Sequence, residues 1–155
     1  MDNEAVEILL VDDNLNDVEL MIRALKKINL ANKIVHLKDG VEGTDFILCK
    51  GKYSGRNIHN KPKVVFLDLK MPRMDGLEVL EKVKENELTK SIPIVILTSS
   101  KEDPDIRRAY ELGVSSYIVK PVDFGNFSKA VGDLGFYWLL LNEPPKYNII
   151  DNTIL

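Results

Sequence analysis

Apolar residues in this chain alternate between short, nearly unbroken runs and longer stretches in which they recur every three or four positions. Val6–Val11, Val64–Leu67, Ile94–Leu97 and Tyr117–Val119 are the runs, and each has the length and β-branched character of a strand buried on both faces. After the first run, Leu15, Val18, Met21, Ile22, Leu25 and Ile28 keep helical spacing, with Asn14 or Asn16 able to cap and Asp17 and Glu19 in the first turn. Ile34–Leu37 is more mixed and reads as an edge strand, followed by a helix from about Val41 to Lys50. Leu77–Glu87 reads as a helix opened by the Asp75-Gly76 turn, and Asp105–Leu112 as one with Pro104 in its first turn and Gly113 as its cap. Asp123–Leu141 is the last, and Pro144-Pro145 prevents its continuation. Strand and helix thus alternate throughout, which predicts βαβ units and an α/β fold: a doubly wound parallel sheet of five strands in the flavodoxin-like order 2-1-3-4-5, with five helices.

A polar group follows four of these strands: Asp12-Asp13, Asp68, Thr98 and Lys120. In a parallel sheet those carboxyl ends open on one crevice, where open α/β sheets bind their ligands. Three carboxylates there would repel one another and need a cation or raised pKa values. A divalent ion that prefers hard oxygen ligands, Mg²⁺ above all, meets the need and leaves positions for water and a phosphoryl oxygen. With that ion and Lys120 opposing the acids, the pocket can admit a phosphoryl dianion. Asp68 is the best nucleophile, because it ends the most apolar strand and has no acidic neighbour. Singly, each group has an ordinary reading as a helix cap, a strand exit or a polar loop. Their joint occurrence at successive strand ends is what points to a phosphoryl site.

At 155 residues and 45% hydrophobic, the chain suits one domain with one core. Residues 1–141 read as that domain and 142–155 as a tail without a separate output domain. A net charge of −3 gives no case for nucleic-acid binding. Cys49 is the only cysteine, so no intrachain disulfide can form and a reducing compartment is expected. The acidic start Met1-Asp2-Asn3-Glu4 does not resemble a signal peptide, and no apolar run approaches membrane-spanning length, the strongest being Phe136–Leu141. A cytoplasmic location with no membrane partner is therefore expected. The connection from Gly51 to Pro62 and its flanks carry Lys50, Lys52, Arg56, His59, Lys61 and Lys63, with no acid between Asp45 and Asp68. Such a run reads as a solvated loop, the alternative being a steering patch for an acidic partner.

Four segments together carry a resemblance: Leu10-Val11-Asp12-Asp13-Asn14, Asp68-Leu69-Lys70-Met71-Pro72-Arg73-Met74-Asp75-Gly76, Pro93-Ile94-Val95-Ile96-Leu97-Thr98-Ser99 and Tyr117-Ile118-Val119-Lys120-Pro121. From about residue 6 to 140 the chain resembles the receiver domain of two-component response regulators. The resemblance implies that Asp68 accepts a phosphoryl group from the phosphohistidine of a sensor histidine kinase. It also implies that Asp13, Asp68 and the backbone carbonyl of Lys70 bind Mg²⁺, for which Mn²⁺ can substitute, while Asp12 acts through water. Thr98 and Lys120 would contact the phosphoryl oxygens, Tyr117 would be the aromatic switch, and the Lys120–Pro121 bond would be cis. Lys70 and Ser100, each two residues past a site residue, would tune the lifetime of the acyl phosphate. Such a protein is a phosphoacceptor rather than an enzyme, limited to self-catalysed phosphotransfer and autodephosphorylation.

A rotating hydroxyl and a ring that fills the space it vacates make a physically adequate two-state element, which supports the pairing of Thr98 with Tyr117. The rival from the enzyme class is an aspartyl-phosphate phosphatase. Such hydrolases place a second acid two residues after the nucleophile, where this chain has Lys70, which cannot act as a general acid at neutral pH. No Gly-rich Walker-type loop is present to support nucleotide hydrolysis. The long basic connection, the segment Leu134-Gly135-Phe136-Tyr137-Trp138-Leu139 and the Pro-Pro tail are similar to single-domain regulators that partner bacterial phytochromes, so a phytochrome-like kinase is the expected partner. Along the last helix, Phe127, Val131, Leu134, Trp138 and Leu141 suit the core, while Phe136, Leu139 and Leu140 fall off that stripe. They need cover from the tail residues Ile149, Ile150, Ile154 and Leu155 or from a second copy. The family pairs through its fourth helix, fifth strand and fifth helix, so a homodimer is expected.

Overall fold

The side-chain period of two within each strand divides the core into two halves. Ile8, Leu10, Val64, Phe66, Val95 and Leu97 point to one face of the sheet; Leu9, Val11, Val65, Leu67, Ile94 and Ile96 point to the other. In the computed structural model, which describes residues 6–29 and 33–145, these side chains sit on β1 (Ile8–Val11), β3 (Val64–Leu67) and β4 (Ile94–Thr98). Parallel partners β2 (Ile34–Leu37) and β5 (Ser116–Val119) form the edges, giving the order β2-β1-β3-β4-β5 that the sequence predicts. On the first face α1 (Leu15–Lys27) and α5 (Phe124–Phe136) cover the sheet through Val18, Met21, Leu25, Phe127 and Val131. On the second face α2 (Gly40–Leu48), α3 (Gly76–Lys84) and α4 (Asp103–Glu111) do so through Phe46, Ile47, Val79, Leu80, Val83 and Ala109. Full burial of each large side chain is worth about 1.5–3 kcal/mol, so a sheet covered on both faces holds its strand ends in fixed places.

The ladder continues one residue past two strands. The Asp12 N–H donates to the Leu37 carbonyl at 3.1 Å and the Asp68 N–H to the Val11 carbonyl at 3.0 Å. Helix starts are capped by short acceptors: Asn14 takes the Asp17 N–H, Asp39 the Glu42 N–H and Asp75 the Glu78 N–H. Gly76 serves for lack of room rather than for its dihedral freedom. A Cβ there would stand 2.2 Å from the Asp68 carbonyl oxygen and 2.9 Å from Leu69 Cα.

Three departures from the expectations have physical causes. The basic connection is solvated as expected along most of its length, with Lys50, Lys52, His59 and Lys63 exposed, but it is not irregular throughout: Gly51–Tyr53 forms a 3₁₀ turn, and the Arg56 guanidinium lies 3.7 Å from the centre of the Phe46 ring while donating to the carbonyls of Phe46 and Asn60. Helix α2 stops at Leu48 because Cys49 turns left-handed, with φ of +56°. Beyond α5, Tyr137–Leu141 continues as a π-helical turn, closed by the Asn142 N–H on the Tyr137 carbonyl at 2.7 Å. A π turn takes more residues than an α turn, so the apolar stripe changes phase. Leu139, expected off the core, packs against it beside Trp138; Leu141, expected in it, is 63% exposed. Phe136 and Leu140 are exposed as expected, at 46% and 55%. The tail residues Ile149, Ile150, Ile154 and Leu155 lie outside the described residues.

Candidate functional site

The ends of β1, β3 and β5 deliver Asp12, Asp13, Asp68 and Lys120 to one crevice. Carboxylate oxygens of Asp12, Asp13 and Asp68 all lie within 4.8 Å of one another, with Asp12 and Asp68 buried and Asp13 exposed. Asp12 is held at both oxygens: Oδ1 accepts the Asn14 N–H at 2.9 Å and Oδ2 faces Lys120 Nζ at 3.0 Å. Asp68 Oδ1 accepts the Leu69 N–H at 2.8 Å, which leaves Oδ2, 3.4 Å from Lys120 Nζ, turned to the crevice. At the end of β4, the fully buried Thr98 accepts the Ser100 N–H through Oγ1 at 3.3 Å. The Tyr117 hydroxyl donates to the Ser100 carbonyl at 2.8 Å.

Electrostatics follow from this crowding. Burial pushes the Asp12 carboxyl up to about 6; Lys120 and the Asn14 N–H pull it down, and the neighbouring Asp68 adds to the rise. Burial also disfavours the Lys120 ammonium, but the carboxylates of Asp17, Asp12 and Asp68 outweigh it and hold the group above its ordinary range. Burial likewise raises the Tyr117 phenol, with Asp105 and Asp68 adding to the effect and the Ser100 carbonyl and Lys70 opposing it. A cluster of hard oxygen donors, one of them reluctant to ionise in its absence, has the chemistry that fits a divalent cation. A phosphoryl group or a small ion needs such donors and charge more than volume. The groove of about 620 Å³ between α1 and α5, lined in part by Ala24, Ile28, Gly132 and Phe136, does not include these residues.

The structure brings together Asp12, Asp13, Asp68 and Lys120 as the sequence predicts, with Thr98, Tyr117 and Ser100 joined beside them. It corrects one expectation. No described peptide bond is cis, so Lys120–Pro121 is trans. The Lys120 N–H donates to the Thr98 carbonyl at 2.6 Å, and this last rung of the β4–β5 ladder already aims the side chain inward, so no sharp turn is required. Two participants were not singled out from the sequence. Asp17, one turn into α1, stands 2.8 Å from Lys120 Nζ, nearer than either strand-end acid. His36 on β2 places Nε2 2.8 Å from the Asp12 carbonyl, which can only accept, so that nitrogen carries the proton. A carboxylate in the first turn of the helix leaving an acid pair is the signal that could have found Asp17.

Comparison with known proteins agrees with this geometry. Residues 8–132 match the family model of the response regulator receiver domain. The chain is 40% identical over 139 residues, 89% of its length and 86% of the relative's, to the "Probable methanogenesis regulatory protein FilR2" of Methanothrix harundinacea (strain 6Ac). It is 34% identical to "Response regulator Rcp1" of Synechocystis sp., over 85% of this chain and 88% of that one. The Mn²⁺-bound form of Rcp1 superposes with a TM-score of 0.83 at 33% identity, covering 91% of this chain and 99% of that chain. The phosphorylated cyanobacterial phytochrome response regulator RcpA gives a TM-score of 0.84 at 31% identity, covering 92% of this chain and 100% of that one.

Proposed function

This chain belongs to the response regulator receiver domains, stands close to the phytochrome-associated regulators Rcp1 and RcpA and signals through phosphorylation, and from that premise we propose that Asp68 is its phosphoacceptor. The observation that carries the reading is the convergence of one part-buried ammonium on the acid cluster: Lys120 Nζ lies 3.0 Å from Asp12 and 3.4 Å from Asp68. A carboxylate oxygen of Asp68 bonds to phosphorus in line while the bond from phosphorus to the imidazole nitrogen of a kinase histidine breaks, its electron pair returning to the ring. Lys120 and the Thr98 hydroxyl donate to the phosphoryl oxygens as charge builds on them. Asp13, Asp68 and the Lys70 carbonyl would hold a divalent ion, and Asp12 would act through water. That ion, Mg²⁺ with Mn²⁺ able to substitute, supplies neutralisation of the phosphoryl oxygens when bound.

Thr98 and Tyr117 convert occupancy into a change at α4, β5 and α5, where Tyr110, Val119, Val122 and Phe124 offer exposed apolar surface. Similarity to the phytochrome regulators supports a phytochrome-like sensor kinase as donor, and the exposed Phe136 and Leu140 support a homodimer centred on α5. A net charge of −3 supports output through protein contacts rather than through nucleic acid or an anionic membrane surface. No helix among the described residues is long and apolar enough to cross a membrane. Autodephosphorylation, tuned by Lys70 and Ser100, completes the cycle. Intact-mass measurement after treatment with a small phosphodonor and Mg²⁺ tests the reading. One acid-stable, base-labile phosphoryl group is expected, lost in Asp68→Asn and under strong chelation. Phosphate on Asp12, or undiminished labelling of Asp68→Asn, overturns it.

A further inference from the structure

Lys70 and Ser100 follow Asp68 and Thr98 at the same offset, and both end on one carboxylate to which the reading above gives no role. Asp105, in the first turn of α4, accepts the Ser100 hydroxyl through Oδ2 at 2.7 Å, and the same oxygen lies 3.5 Å from Lys70 Nζ. Through its backbone Ser100 is also tied to the proposed switch, since its N–H reaches Thr98 Oγ1 and its carbonyl takes the Tyr117 hydroxyl. The Asp105 side chain is 20% exposed and that of Lys70 is 68% exposed. The carboxylate is therefore fixed and the ammonium free to swing on its four-carbon stem.

In the unmodified state Asp12 and Asp68 face Lys120, and the carboxylate paired with Lys70 is Asp105. A phosphoryl group on Asp68, two residues away, brings close to two negative charges and three acceptor oxygens into the reach of Lys70. Asp105, bound to Ser100, cannot follow. We propose that Asp105 is a charge latch, a positioning residue that keeps the Lys70 ammonium off the acceptor until a phosphoryl group claims it. Release of Lys70 then removes a restraint from the first turn of α4. The latch rests on the reading of Asp68 as phosphoacceptor.

Asp105→Asn removes the charge but keeps a side-chain carbonyl for the Ser100 hydroxyl. Initial rates of mass gain with acetyl phosphate and Mg²⁺ are compared for the full chain, Asp105→Asn, Lys70→Gln and the double variant. With its ammonium freed to attract the anionic donor, Asp105→Asn is expected to phosphorylate about two- to fivefold faster, the factor an exposed ion pair corresponds to. In the Lys70→Gln background the same substitution is expected to have no effect, which a merely structural role of Asp105 would not produce. Equal rates in wild type and Asp105→Asn, or the same acceleration in both backgrounds, overturn the latch. A second measurement covers an Asp105→Asn that does not fold: amide exchange over residues 103–107 is expected to quicken when wild type is phosphorylated, and to be fast already in unmodified Lys70→Gln. Exchange unchanged in both overturns the latch. Failure at Asp68 reads differently and overturns both proposals: wild type gains no phosphoryl group, or Asp68→Asn gains as much.

Discussion

Asp12 carries an acidity set by burial, and this has a consequence for the stability of the metal-free protein. Its folded pKa of about 6 lies above the ordinary 3.8, so between those values the folded chain binds a proton that the unfolded chain does not. Stability from this group is present at low pH and declines as the pH rises from about 4 through 6. With chelator present, the melting temperature is expected to fall from pH 5 to pH 7, Asp12→Asn to abolish most of that fall, and Mg²⁺ at pH 7 to reverse it. Flat melting across that range in the wild type would contradict the assignment. Lys120→Arg tests the neighbouring charge. A planar fork cannot meet carboxylates placed at 2.8, 3.0 and 3.4 Å around one compact ammonium, so phosphorylation is expected to slow by about tenfold or more, the effect of losing a charge-assisted hydrogen bond. Wild-type rates would show that the position requires charge alone. Asp12, Asp68, Thr98 and Lys120 were legible because a residue that ends a parallel strand has its place fixed by the sheet. Asp17 and Asp105 were not, since contacts made by first-turn side chains depend on where each helix is seated over the crevice.

Among the elements, α3 and the loop after β3 approach so closely that propensity gives the wrong sign. Replacing a helical glycine with alanine ordinarily stabilises by up to about 1 kcal/mol. At Gly76 the added Cβ would meet the carbonyl of Asp68 at 2.2 Å, so Gly76→Ala is expected to destabilise by about 1–3 kcal/mol and to slow phosphorylation by displacing the acceptor's backbone. Urea unfolding together with the mass assay measures both effects. A stabilised, fully active variant would mean that the loop yields freely. Strand order and the existence of all five helices could be read from apolar periodicity, because burial on both faces imposes long runs on the inner strands. The end of α5 could not. A π turn leaves no mark on a pattern read at helical spacing, and it exchanged the environments of Leu139 and Leu141. The cis expectation at Pro121 failed for another reason: it came from the resemblance, whereas the ladder bond from Lys120 to Thr98 settles the local geometry.

For the whole molecule, the surface apolar residues of α5 and its π turn predict association. Phe136, Tyr137, Leu140 and Leu141 are exposed on one terminal stretch, and a twofold partner would cover them without any new element. Sedimentation is expected to show a dimer at tens of micromolar and a monomer for Phe136→Asp, with phosphodonor favouring the dimer through its differential affinity for the switched state. A wild-type monomer with and without phosphodonor would refute the dimer. Lys120 has a separate consequence at this scale. An ammonium has three N–H bonds and no acceptor, and here each faces a different part of the chain: Asp17 on α1, Asp12 after β1 and Asp68 after β3. The longest of the three runs to the residue proposed to be chemically consumed. A phosphoryl oxygen carried by Asp68 can therefore take up the third N–H while the other two stay engaged. On that reading the signal would be written by exchanging one anchor of a tripod while the load stays on the other two, and the part-buried cation would keep a counter-charge in both directions of the cycle.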